Sequence, residues 1–162
     1  MASQHKLDKA YMDMAARWGS LSYAKRKQVG ALVVKDEQII SDGFNGTPKG
    51  FDNACEGEDG ETLPEVLHAE SNALAKLARG TQSAQDATLY VTLSPCFQCA
   101  KLIVQAGISR VVCGEVYSDQ TGIAFLKKCG IRVEFSKPTP GKGKQDPQRP
   151  EGRSVNPYSI SL

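Results

Sequence analysis

Between residues 6 and 18 the apolar side chains Leu7, Ala10, Tyr11, Met14, Ala15 and Trp18 recur at the spacing of one helix face, and Gly19 follows as a stop. Residues 29–34 and 38–41 are short β-rich runs around the polar Lys35, Asp36 and Glu37, a pattern that predicts a hairpin. Residues 42–64 are rich in Gly, Asn and Pro and form a loop long enough to suggest a functional role. Leu67, Leu74, Leu77 and Ala78 mark a helix over 67–79, with Gly80 placed for a left-handed cap. A buried strand is expected at 88–93, then a helix opened by Ser94 and Pro95 and running to Ala106. A strand at 110–113, a helix at 121–129 and a strand at 131–135 complete the order α-β-β-α-β-α-β-α-β. The alternation in the second half is that of parallel crossover units, so the expected fold is α/β, a five-stranded mixed sheet flanked by helices. After Ser136 the composition turns to Lys, Gly, Pro, Gln and Arg without periodicity, which predicts a domain over 1–136 and an irregular tail over 137–162.

Composition narrows the function classes. With 162 residues, 40% of them apolar, the chain suits one core. A net charge of +2 does not call for a nucleic-acid partner, while its mild excess suits a phosphorylated small molecule. No apolar run approaches the ~20 residues of a membrane span, and residues 1–9 lack the apolar core of a signal peptide, so a soluble cytosolic protein is expected. Five cysteines (Cys55, Cys96, Cys99, Cys113 and Cys129) are an odd number in such a setting, which favours metal binding or simple burial over disulfides.

The candidate chemistry lies in His68-Ala69-Glu70 and Pro95-Cys96-Phe97-Gln98-Cys99. Cysteines three apart at the first turn of a helix project to one side and can share an ion, with His68 as a third ligand from another helix start. Two thiolates and a neutral imidazole balance the charge of Zn(2+), and two helix N-termini favour the thiolate forms. Three protein ligands leave a position for a water whose pKa the metal lowers. Glu70, at the helix entrance, is the candidate proton carrier. The order His-x-Glu then Pro-Cys-x-x-Cys is the signature of zinc nucleobase deaminases, with the glutamate as acid and base rather than ligand. Taken separately, the Cys pair also fits a redox motif, the histidine a core residue, and Cys55, Cys113 or Cys129 a fourth ligand of a structural site. None of these accounts for Glu70 and His68 together.

With those residues in view the chain resembles the cytidine deaminase superfamily and, within it, the deoxycytidylate (dCMP) deaminases of bacteria and their phages. The resemblance covers about residues 20–135 and rests on Lys27-Gln28-Val29-Gly30-Ala31, on Gly43-Phe44-Asn45-Gly46-Thr47-Pro48, on Leu67-His68-Ala69-Glu70-Ser71-Asn72-Ala73 and on Tyr90 through Lys101 around the Cys pair. It implies a three-layer deaminase fold, zinc on His68, Cys96 and Cys99, and Glu70 as proton shuttle. It further implies that Asn45 holds the sugar hydroxyl, Ala69 offers its backbone N–H to the base carbonyl, and Tyr117 lines the site near the phosphate. The basic cluster Lys25, Arg26 and Lys27 is ordinarily a solvated face. With a dianionic substrate, Arg26 and Lys27 become candidate phosphate contacts. The family's habit implies a homohexamer activated by dCTP and inhibited by dTTP with Mg(2+), a response associated with an arginine matched here by Arg79. Local alternatives remain: Asn45-Gly46 is a strong turn pair, and Arg79 suits a helix C-terminus. A second zinc, present in some phage relatives, is not expected, because residues 53–58 offer one cysteine and no histidine. A nucleic-acid editing deaminase is the rival activity, and the sequence shows no extended basic and aromatic channel for it.

Overall fold

The computed structural model describes residues 1–140. The elements run α1 (Gln4–Gly19), β1 (Gly30–Lys35), β2 (Gln38–Phe44), α2 (Ala69–Leu77), β3 (Thr88–Leu93), α3 (Phe97–Gln105), β4 (Arg110–Glu115), α4 (Thr121–Lys128) and β5 (Arg132–Phe135). The strands form one sheet in the order β2-β1-β3-β4-β5. β1 is antiparallel to both neighbours, whereas β3, β4 and β5 are parallel, as the crossover pattern predicts.

Period-two alternation divides the sheet into two apolar faces. Ala31, Val33, Leu89, Val91, Val111 and Cys113 meet Ala69 and Ala73 of α2, Ala100 and Ile103 of α3 and Leu126 of α4. Leu32, Val34, Tyr90 and Val112 point the other way, to Met12 and Ala15 of α1. The result is three layers with the sheet in the middle. The hairpin turns on Asp36 (φ 49°) and Glu37 (φ 59°), the two left-handed residues of the turn that matches strand twist.

Several boundaries differ from expectation. Ser94 and Pro95 do not open α3: the N-cap is Cys96, whose sulfur faces the backbone N–H of Cys99 at 3.5 Å, and Ala106 is the C-cap. His68 is likewise the N-cap of α2, and Leu67 lies outside the helix, bridged to Gly46. Gly80 is not left-handed; Gly107 and Gly130 are, at φ 83° and 81°. α1 does end at Gly19, and the glycine also permits close approach, since a Cβ there would lie 2.7 Å from the Gly30 nitrogen. Residues 42–44 belong to β2, so the loop begins later than the Gly and Asn content suggests. Lys137–Pro140 fold back on α1, where the Asp13 carboxylate accepts from the Thr139 hydroxyl at 2.8 Å. The rest of the expected tail lies outside the described residues.

Candidate active site

The carboxyl end of β3 sets the position of the site, which is where ligands settle in open α/β sheets. From there the chain passes through Ser94 and Pro95 into Cys96 and α3, while α2 starts beside it at His68. His68 Nδ1 lies 3.5 Å from Cys96 Sγ and 3.5 Å from Cys99 Sγ. Among the described residues these three form a group of potential metal ligands, and no fourth joins them. Tetrahedral zinc with bonds of about 2.3 Å to sulfur and 2.0–2.1 Å to nitrogen requires S···N edges of about 3.5 Å. The donor set and its spacing therefore fit a three-ligand zinc site, and a closed four-cysteine or Cys3His structural site does not match.

The triad is electrostatically prepared for a cation. Hydrogen bonds from the Cys99 thiol and the His68 ring hold the Cys96 thiol down to about 3. The same sulfur contact, with burial behind it, pushes Cys99 upward, and the Cys96 bond raises His68. One thiolate thus forms readily and a cation would draw out the second. Cys55, Cys113 and Cys129 stand outside the group; Cys113 is in the core, where burial pushes its thiol up to about 12.

Glu70 is 4% exposed, in the first turn of α2. Burial drives its carboxyl up to about 7, so it exchanges a proton near neutrality. It shares a cavity of about 310 Å³ with His68 and Cys96, and Arg26, Lys27 and Asn45 line the same cavity. That volume is of the size that takes a small ligand.

The remaining expected residues fall into three groups. Ala69 is buried at the first position of α2, where its backbone N–H has no use within the helix, and it lines the cavity. Tyr117 also lines it, held by its backbone N–H donating to the Ser94 hydroxyl at 2.7 Å. Asn45 reaches the cavity, but its side chain also clamps backbone: Oδ1 accepts from Val29 N at 2.8 Å and Nδ2 donates to Lys27 O at 2.8 Å. An amide retains one further donor and one further acceptor after those bonds. Arg26 and Lys27 are on the rim, paired with Glu61 at 3.3 Å and Glu115 at 2.9 Å. Arg79 is not at the cavity; it is exposed one residue past the C-cap of α2.

Sequence pattern did not point to Glu56, Glu61, Thr62 or Ser94, all of which line the cavity. The first three sit on a small hairpin, bridged at Glu56 and Thr62, whose three-residue loop turns at Glu58 and Asp59 and ends on Gly60 at φ 78°. Asp-Gly is a hairpin signal and could have revealed it.

Comparison with known proteins agrees with this geometry. The model of the cytidine and deoxycytidylate deaminase zinc-binding region matches residues 5–115. The dCMP deaminase of cyanophage S-TIM5, solved in complex with dCMP and dUMP, superposes with a TM-score of 0.81 at 43% identity, covering 83% of this chain and 100% of that one. Deoxycytidylate deaminase of Mycobacterium phage D29 is 36% identical over 119 residues, 65% of this chain and 91% of its own. That of Saccharomyces cerevisiae is 36% identical over 140 residues, covering 80% of this chain; the chain spans 45% of the yeast protein's length. The sheet order, the helices around it and the matched region leave one assignment: the chain belongs to the cytidine and deoxycytidylate deaminase zinc-binding family.

Proposed function

We propose that this chain is a zinc-dependent deaminase that hydrolyses dCMP to dUMP and ammonia. The observation that carries it is the buried Glu70 sharing one cavity with the His68, Cys96 and Cys99 group at tetrahedral spacing. The names of the phage and yeast relatives and the nucleotides in the cyanophage complex support the choice of substrate.

His68, Cys96 and Cys99 would hold the zinc, which supplies Lewis-acid activation of a water when bound. Glu70 takes a proton from the attacking water and delivers it to ring N3 as oxygen adds at C4, then takes the proton of the new C4 hydroxyl and passes it to the departing amine, leaving the C4 carbonyl. Water and dCMP in, dUMP and ammonia out, balance. The Ala69 N–H holds the base carbonyl, the spare capacity of Asn45 meets the sugar hydroxyl, and Arg26, Lys27 and Tyr117 face the phosphate. A dianion placed between Arg26 and Lys27 competes with Glu61 and Glu115, exposed pairs that each contribute little to stability and yield readily.

The family resemblance extends the proposal to a hexamer in the cytosol (the host's, for a phage protein) that feeds dTMP synthesis. Activation by dCTP and inhibition by dTTP, with Mg(2+), would act through Arg79, which lies past the far end of the helix that carries Glu70 and is capped by His68. No helix among the described residues is long and apolar enough to cross a membrane.

The test is ammonia release from dCMP, cytidine, dCTP and single-stranded DNA by the zinc-loaded protein. Turnover of dCMP with kcat/KM well above that of cytidine is expected. Preference for dCTP or for polynucleotide would replace the substrate, and no release from any of them would remove the activity.

A further inference from the structure

Residues 22–29, between α1 and β1, carry Arg26 and Lys27 yet contain neither helix nor strand up to Val29. Something other than a ladder must fix their backbone. Side chains do it. Asn45 ties Lys27 O and Val29 N, and the Ser22 hydroxyl donates to Asn45 O at 2.6 Å while accepting from Ala24 N at 3.1 Å. At the centre of the segment Glu56 Oε1 accepts from Lys25 N at 2.8 Å and from Arg26 N at 3.1 Å. Two successive backbone N–H groups converging on one oxygen form an anion-holding concavity, and a carboxylate from 30 residues away fills it.

Glu56 is itself rigidly mounted. The hairpin that bears it is closed by Gly57 N to Glu61 O at 2.9 Å and Leu63 N to Cys55 O at 2.9 Å. Its other strand presents Glu61 to the Arg26 guanidinium, so one small hairpin grips the cationic segment by backbone and by side chain.

We propose that Glu56 is a positioning residue for nucleotide recognition: by holding the backbone of Lys25 and Arg26 it sets where Arg26 and Lys27 meet the substrate phosphate. This rests on the reading of Arg26 and Lys27 as phosphate contacts. Glu56 touches no reacting atom in this scheme, so its loss acts on nucleotide binding and not on the proton transfers of Glu70.

The experiment measures kcat and KM for dCMP, and kcat/KM for cytidine, in Glu56→Ala, Glu56→Asp, an Arg26→Ala/Lys27→Ala double variant and the triple variant that adds Glu56→Ala, with zinc content alongside. Glu56→Ala is expected to raise the KM for dCMP about tenfold, the scale of losing one charge-assisted hydrogen bond. Its kcat for dCMP and its kcat/KM for cytidine stay within about twofold. Glu56→Asp, which keeps the charge but withdraws it by one methylene, gives the same change in smaller measure and decides the matter where the Ala variant does not fold. In the background without Arg26 and Lys27 the Glu56 effect vanishes, because the two act as one unit. An unchanged KM in both Glu56 variants, equal losses for cytidine and dCMP, or an undiminished Glu56 effect in the triple variant would each overturn the proposal. A double variant that keeps the full preference for nucleotide over nucleoside, with Glu56 intact, would instead overturn the phosphate reading beneath it.

Discussion

At the residue scale the site depends on a division of labour between atoms that look alike in formal charge. Glu70 and the thiols of Cys96 and Cys99 are all acids near one cavity, but the environment separates them. Burial lifts Glu70 to about 7, so it can both take and give a proton, while hydrogen bonds pull Cys96 down to about 3, where it is an anion at any working pH. In the proposed scheme Glu70 moves protons and the thiolates ligate, so the two kinds of residue should fail differently. Glu70→Gln keeps the shape and removes the titratable oxygen. We expect it to retain zinc by elemental analysis and to lose turnover of dCMP by about 10²–10⁴-fold. Cys99→Ser keeps Glu70 and breaks the ligand set, so it should lose zinc and activity together. A Glu70→Gln protein without metal would make Glu70 a ligand, contrary to the scheme.

At the element scale, what matters is how closely helices approach the sheet near their N-termini. Gly43 of β2 faces the first turn of α2, and a Cβ there would lie 2.3 Å from Ala69 O and 2.7 Å from Ala73 N. Backbone atoms cannot swing aside as a side-chain tip can. Gly43→Ala must therefore displace α2, whose cap is His68, and overpacking of this kind costs about 1–3 kcal/mol. Because small displacements of catalytic groups cost up to about 10²-fold, the variant should lose activity out of proportion to its melting temperature. A variant with wild-type kcat and stability would show that α2 has slack. This contact also marks what pattern could reveal and what it could not. The convergence of His68, Cys96 and Cys99 was legible, since metal chemistry fixes residue types and spacing. The strands at 88–93 and the mixed sheet were legible too, from apolar runs and crossover order. The glycine approaches, the thiol cap of α3 and the grip of Glu56 on Lys25 and Arg26 were not, because each joins segments whose proximity exists only after folding. Gly43 read as a loop residue for the same reason: composition favours a turn, whereas packing against α2 requires a strand without a side chain.

At the scale of the whole molecule, one charged network laces the α1 face together and is remote from the catalytic chemistry. Arg110 on β4 donates to both oxygens of Asp8 on α1, at 2.9 and 2.6 Å, and also pairs with Glu134 on β5; Tyr90 on β3 donates to Asp8 at 2.7 Å. Four elements distant in sequence are thus joined through side chains that are 7% and 12% exposed for Arg110 and Asp8. Burial alone would raise the Asp8 carboxyl, but the bonds from Arg110, Tyr90 and Gln4 outweigh it and leave Asp8 at about 2, below its ordinary 3.8. The sign of the consequence follows from linkage. A carboxylate whose folded pKa is depressed contributes stability that is fully present above the unfolded value, and that contribution is lost as the pH falls through the folded one. The window is therefore about pH 4 to pH 2, and a displacement of this size is worth on the order of 2 kcal/mol. Asp8→Asn removes the titration and keeps the shape. In urea unfolding, the stability advantage of the wild type over Asp8→Asn should be constant from pH 7 to pH 5 and shrink by about 2 kcal/mol between pH 4 and pH 2. Arg110→Met should be worse than Asp8→Asn at neutral pH, by up to about 3–5 kcal/mol of lost stability, because it leaves a buried carboxylate without its cation. If the advantage of the wild type were independent of pH across that window, Asp8 would not be held as a depressed carboxylate, and the network would be a packing contact rather than an electrostatic one.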